Sequence, residues 1–334
     1  MQKEKRILMF LLLCIVGTFA LYAGGAKEPE KIEKISIKIY TSYPPGDENY
    51  VTAQAFAERV KALSNGMITA EVFHSGSVGG EKETVQAVKL GAAQGVSSGF
   101  LPVTMFTQEY GFFEGLYLYK DFDHYKAVWE GKPGQGIQKI LLENNLRTMG
   151  IYMRGMRHLA ANKPIRTPED AKGLKLRTPQ VPSMVKTFAA IGFLPTPIAL
   201  PELFTALQTG VVDCAEGPAS QMLSYKYNEV LKYLMLTGHS ISGAMFNLSE
   251  RFLKSLNSEQ RAIVEKAARE AVAEGAAFAA KAEKEKLDKL VNSGMMVVEP
   301  DKEAFMEKAA AANEELFRTQ WKVTTLEEIR SYMK

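Results

Sequence analysis

The sequence predicts an α/β protein of two lobes, joined by a hinge and spanned by one long helix. Three observations carry this reading. Apolar residues from Ile35 onward switch between strand and helix periods with short links, and the same grammar restarts near Thr148. Residues 258–291 then contain no helix breaker other than Gly275. With 46% hydrophobic and 24% charged residues, the chain is expected to fold around a packed core. Its 334 residues exceed what one core usually fills, which favours two domains.

Lys3, Lys5 and Arg6 precede an apolar run from Ile7 to Ala23, followed by Gly24, Gly25 and Ala26. A basic start, an apolar middle and a small-residue exit describe a secretory signal peptide over residues 1–25. An uncleaved membrane anchor is the alternative. Either way the folded part is exported, to the periplasm. Cleavage would remove three basic residues and Glu4, taking the net charge from +3 to +1. Neither value offers a basic stripe for nucleic acid. Cleavage would also remove Cys14 and leave Cys214 alone, so no internal disulfide is expected. Residues 26–34 are polar and charged, and read as a tether.

Ile35, Ile37 and Ile39 alternate as a strand does. Ala53, Phe56, Ala57, Val60 and Leu63 follow helical spacing and stop at Gly66. A strand over Ile68–Val72, a helix over 81–90 and a short strand over 95–98 complete the first set. The second set has strands at 149–153, 174–177 and 211–215, with helices at 181–191 and 201–209. Thr167 caps a further helix that carries Pro168 and two acids in its first turn. Strand–helix alternation of this kind predicts a parallel sheet. Asn257 and Gln260 form a capping pair that opens the long helix. At ~1.5 Å per residue it reaches about 50 Å, enough to run along both lobes. The lobes are assigned as residues 35–154 with 243–283, and 155–242 with 284–334. Hinged lobes hold a ligand in the cleft between them.

Catalytic signatures are missing. There is no GxGxxG, and Gly131–Gly136 lacks the ending a phosphate loop needs, so it reads as a turn into a helix. His74, His124, His158 and His239 are scattered, none at the i, i+4 spacing of a zinc helix. No GxSxG occurs, and Cys214 has no activating motif. Asp213 and Glu216 read as a strand end and a loop-shaping residue rather than a catalytic pair. No catalytic residue, metal ligand or cofactor is therefore assigned. The positive signal is arginine placement. Arg177 ends a predicted strand, where ligands of parallel α/β sheets sit, and Pro179 fixes the chain that leaves it. Arg157 follows another strand. A guanidinium forks its donors and keeps its charge, which suits a carboxylate.

The runs Pro164–Pro179, Gly192–Pro197, Glu202–Asp213 and Glu216–Pro218 resemble the DctP-type solute-binding proteins of tripartite ATP-independent periplasmic (TRAP) transporters. Phe56–Val60, Gly76–Glu81 and Leu90-Gly91 fall in the same family's order, so the resemblance spans nearly all of the chain after the signal. It implies a periplasmic-binding-protein-like receptor whose cleft closes on a small organic acid without a cofactor. Its partners would be the small and large membrane subunits of the transporter and, in some subgroups, a tetratricopeptide-repeat helper. By the same resemblance Arg177 pairs with the ligand carboxylate and Arg157 assists. Pro179 and Gln180 would line that wall, with Phe204 near it. Gly217 stands where the family often has asparagine, and Gly99, beside Phe100, stands where sugar-acid members place charged groups. These departures suggest a less polar cleft. Tyr43, Phe100, Phe112, Phe113 and Tyr117 serve as core or as an apolar wall for the ligand. A monocarboxylate with an apolar body is therefore favoured, with a small dicarboxylate left open. A receptor for an ATP-driven importer and an exported enzyme are the competing functions.

Overall fold

In a computed structural model, which describes residues 34–333, the alternating residues of the first predicted strand form β1 (Ile35–Tyr40), with Ile37 and Ile39 fully buried. The expected signal peptide and all of the tether except Lys34 lie outside the described residues. The other strands are β2 (Ile68–Phe73), β3 (Gly95–Ser98), β4 (Leu146–Ala161), β5 (Lys175–Thr178) and β6 (Leu194–Pro197). They continue with β7 (Cys214–Pro218), β8 (Tyr233–Ser249) and β9 (Met296–Val298).

All nine belong to one sheet, in the order β2-β1-β3-β8-β4-β7-β5-β6, with β9 against β8. The sheet is mixed, not all parallel as expected. β1 runs parallel to β2 and β3, and β5 parallel to β6 and β7, but β4 and β8 are antiparallel to each other. β8 also opposes β3, and β4 opposes β7. The reason is length. β4 and β8 have 16 and 17 residues, and each crosses from one parallel set to the other, one out and one back. Residues of β8 are buried on both faces over most of its length, so it has no alternation to betray it, and sequence reading missed it.

The β4–β8 ladder slips register between Met153 and Met156, and again between Arg157 and Leu159. Gly155 sits in the Met153–Met156 break with φ +116°, a conformation side chains resist. An extra residue here bends the strand. Opposite it, Met153 pairs with Gly243 and Met156 with Ile241.

β7 starts three residues later than expected. Asp213 precedes the strand, its backbone N–H donating to Lys175 O and its carboxylate accepting from Lys175 N, both at 2.8 Å. Glu216 is therefore a buried residue in mid-strand, not a loop residue.

The long helix runs Ser258–Asn292 behind a capping box. Gln260 N donates to Asn257 Oδ1 at 2.8 Å, and Asn257 N donates to Gln260 Oε1 at 3.0 Å. It packs on the Glu48–Leu63 helix, which lies on β2 and β3, on β4, and on the Ala219–Ser224 helix, which lies on β4 and β7. Gly275 is a contact residue rather than a breaker. A Cβ there would lie 2.0 Å from Thr52 Oγ1, which explains why the two helices meet at a glycine. Among the described residues no helix is long and apolar enough to cross a membrane.

Candidate functional site

Three buried arginines converge from β4 and β5, and their partners differ. Arg157 donates from Nε and Nη2 to the two oxygens of Glu216 at 2.6 and 2.5 Å, and from Nη1 to Ser242 Oγ at 3.3 Å. His239 Nε2 lies 3.2 Å from the same carboxylate, while its Nδ1 meets the Thr237 hydroxyl at 2.8 Å. Burial alone would raise the Glu216 carboxyl. The Arg157 charge and the bonds from His239 and Arg157 outweigh it and hold the group at about 2. Arg154 donates to Asp47 Oδ2 at 2.5 Å, lies 3.6 Å from Glu48 and covers the Tyr43 ring at 4.4 Å. Lys286 bonds Glu48 on the far side. Both arginines are neutralised by the protein itself.

Arg177 is not. It is 3% exposed and its Nε donates to Ile198 O at 2.9 Å, but among the described residues no carboxylate lies within 4 Å of it. Lys175 and Thr178 bracket it on β5, and Pro179 turns the chain away immediately afterwards. A buried guanidinium with unspent donors calls for an anion.

All three arginines line one cavity of about 40 Å³, room for roughly three water-sized groups. Of the residues singled out from sequence, Arg177, Arg157, Pro179, Gly99, Phe100 and Tyr43 line it together. Gln180 is exposed and outside it, and Phe204 is half-buried outside it. Gly217 also lies off the lining. Phe112 and Phe113 are core residues, packed with Tyr110, Tyr125, Trp129 and Trp321, and Tyr117 does not reach the cavity.

The two glycines expected to make the cleft less polar do the opposite. A Cβ on Gly217 would lie 2.5 Å from Gln221 Nε2, so its absence lets the Gln221 amide reach the wall. That amide donates to Tyr227 Oη at 2.8 Å and to Glu216 O at 3.3 Å. A Cβ on Gly99 would lie 3.0 Å from Glu81 Oε1, and the Gly99 N–H donates to that oxygen. Each glycine makes room for a polar group supplied by another segment.

Sequence reading did not find Glu81, Glu114, Arg154, Gln221 or Ser242. Glu81 looked like an ordinary first-turn acid of the Glu81–Leu90 helix. The signal for Glu114 was present, since it follows Phe112 and Phe113 in an apolar run. Both acids are half-buried at the cavity wall. Burial raises the Glu81 carboxyl, against the Gly99 bond and the arginine charges. Burial pushes Glu114 up to about 8 despite Arg157, with Glu81 and Glu216 adding to the rise. Among the described residues no group of three His, Cys, Asp or Glu side chains could hold a metal ion.

Residues 40–320 match the family described as bacterial extracellular solute-binding protein, family 7 (DctP). A solute-binding protein of Verminephrobacter eiseniae is 31% identical over 299 residues, covering 89% of each chain. A TRAP periplasmic solute-binding protein of Polaromonas, solved with D-erythronate, superposes with a TM-score of 0.82 at 31% identity, over 90% of this chain and 98% of that one. Another from Sulfurospirillum deleyianum, solved with succinate, gives 0.84 at 27% identity, over 90% and 99%. This match accounts for the two-lobed fold with its hinge and long spanning helix. The chain belongs to the DctP family of bacterial extracellular solute-binding proteins.

Proposed function

We propose that this protein is the extracytoplasmic receptor of a TRAP transporter, capturing a small carboxylic acid between its lobes and delivering it to a small and a large membrane subunit. One observation carries the choice of ligand: among the described residues, Arg177 alone of the three cavity arginines has no carboxylate of its own. The erythronate and succinate in the two neighbours are carboxylates, which supports the same reading. The lobes are residues 35–154 with 243–283 and 155–242 with 284–334, and they close about the β4 break at Gly155. Residues 1–25 direct export to the periplasm and 26–34 tether the receptor. A tetratricopeptide-repeat helper is a further partner to seek beside the two membrane-subunit genes.

The family's role as solute receptors favours binding over turnover. Calorimetry with a binding acid and its methyl ester tests the proposal. The ester, lacking the charge, should bind much more weakly, and the acid should be recovered unchanged after incubation. Equal binding of the ester would refute the carboxylate site, and conversion of the acid would favour an exported enzyme.

A further inference from the structure

We infer that the cavity lined by Arg177, Glu81 and Glu114 selects an acid that also carries an ammonium group, so that the ligand is a small zwitterion rather than a simple anion. This rests on the carboxylate reading and narrows it. Arg154 and Lys286 are matched by Asp47 and Glu48, and Arg157 is matched by Glu216. Three ionisable groups at the wall are left over: Arg177, Glu81 and Glu114. At neutral pH this leaves one cation, Arg177, and one carboxylate, Glu81, because burial keeps Glu114 protonated.

A simple carboxylate would satisfy Arg177 and add a third acid to a closed space. Glu81 already lies in the field of Arg177, and so competes with an incoming anion for it. Among the described residues, the Glu81 carboxylate accepts only the Gly99 N–H. Glu114 ends the short turn Gly111–Glu114 and makes no side-chain hydrogen bond among the described residues. The charged and titratable groups around Glu114 are Arg157 and Arg154 from β4, Glu81 from the Glu81–Leu90 helix and Glu216 from β7. Burial raises the Tyr119 and Tyr125 hydroxyls, and nearby Glu114 adds to the rise. No basic side chain belongs to Glu114 alone, because both arginines near it are spent elsewhere.

An ammonium supplies three donors to two carboxyls that have almost none. It also offsets the negative charge that the ligand carboxylate brings in beside Glu81. With both ends of a zwitterion bound, one acid is left over, and burial already favours the protonated form of Glu114. The cavity of about 40 Å³ limits the span between the two ligand charges to a few bonds. Glu81 is thus the specificity-determining residue.

The test uses matched sets of acids in calorimetry at pH 7: 3-aminopropionate, 3-hydroxypropionate and propionate; 4-aminobutyrate, 4-hydroxybutyrate and butyrate; alanine, lactate and propionate. In the set that fits, the amino acid should bind ~10- to ~100-fold tighter than its hydroxy and unsubstituted partners, the range for a charged hydrogen bond. Glu81→Gln keeps shape but removes the charge and should shrink that preference, whereas Glu114→Gln, which keeps a neutral acceptor, should leave most of it in place. If a hydroxy or unsubstituted acid binds as tightly as its amino partner, and Arg177→Ala still weakens it, the inference is overturned and the carboxylate site stands. If succinate or erythronate binds while none of these amino acids does, the inference is overturned and the carboxylate site stands; if Arg177→Ala has no effect on any acid that binds, the carboxylate reading fails with it.

Discussion

Arg157 and Glu216 grip each other through two parallel hydrogen bonds, 2.6 and 2.5 Å long, across the neighbouring strands β4 and β7. This pair is the structural foil to Arg177, because it shows what a satisfied arginine in this cleft looks like. Removing one partner leaves a buried charge alone. Glu216→Leu should therefore lower the unfolding free energy by about 3–5 kcal/mol. The double variant Arg157→Met, Glu216→Leu should regain most of that loss, since two apolar groups replace two charges. Urea unfolding of the two single variants and the double reads the difference, and additive losses would show that the pair is not coupled.

Stability should fall toward acid through two groups. Glu216 is held at about 2, below its ordinary 4.5. A depressed acid stabilises the fold above its unfolded value, so this contribution disappears as pH drops from 4.5 toward 2. His158, which accepts Gly238 N–H at 3.0 Å, is lowered by burial, with His239 and Lys302 adding, from 6.5 to about 4. Being neutral when folded, it also favours the native state above 6.5, and its share is lost between 6.5 and 4. Melting temperatures across pH 4–7 should slope upward, and His158→Asn should flatten that slope.

Glu114 acts in the opposite direction. Its carboxyl is raised from 4.5 to about 8, so its contribution is complete below 4.5 and is lost as pH rises through 8. Ligand-free Glu114→Gln should resist alkaline destabilisation better than the wild type. Identical melting curves between pH 6 and 9 would mean that Glu114 titrates normally.

Helix contact at Gly275 gives a steric test. Gly275→Ala places a methyl 2.0 Å from Thr52 Oγ1, and overpacking of this kind costs about 1–3 kcal/mol. Thr52→Ala removes the obstructing oxygen. In that background Gly275→Ala should cost little, or stabilise by up to ~1 kcal/mol through helix propensity. A penalty of the same size in both backgrounds would place the strain elsewhere.

Much of this fold was legible because its signals are local. The Glu81–Leu90 helix, the Thr167 and Asn257 caps and the long C-terminal helix all announce themselves through period or capping residues. β8 did not, since burial on both faces erases alternation, and with it went the antiparallel crossing that makes the sheet mixed. The basic wall of the cleft was legible in Arg157, Arg177 and Pro179. Its acidic wall was not, because Glu81 and Glu114 come from separate segments and meet only in the folded chain. Gly99 and Gly217 misled for the same reason: a missing side chain reads as lost polarity, yet the space it leaves admits Glu81 and Gln221.

Closure about the β4 break should be visible in solution. If the lobes pivot near Gly155, small-angle scattering should give a smaller radius of gyration when a binding acid is added. Unchanged scattering at saturation would point to a rigid cleft.

The carboxylate anchor is the central claim, and Arg177 tests it most directly. In a closed cleft its pair with the ligand is desolvated, so Arg177→Ala should cost roughly 2–5 kcal/mol of binding. At about 1.4 kcal/mol per decade this is a loss of about 30- to 3,000-fold, measured by calorimetry with a binding acid. Arg177→Lys should also lose affinity, because an ammonium keeps the charge but not the planar fork. The Arg157→Met, Glu216→Leu protein should lose less, as Arg157 is already neutralised. A folded Arg177→Ala protein that binds the acid as tightly as wild type would contradict the account.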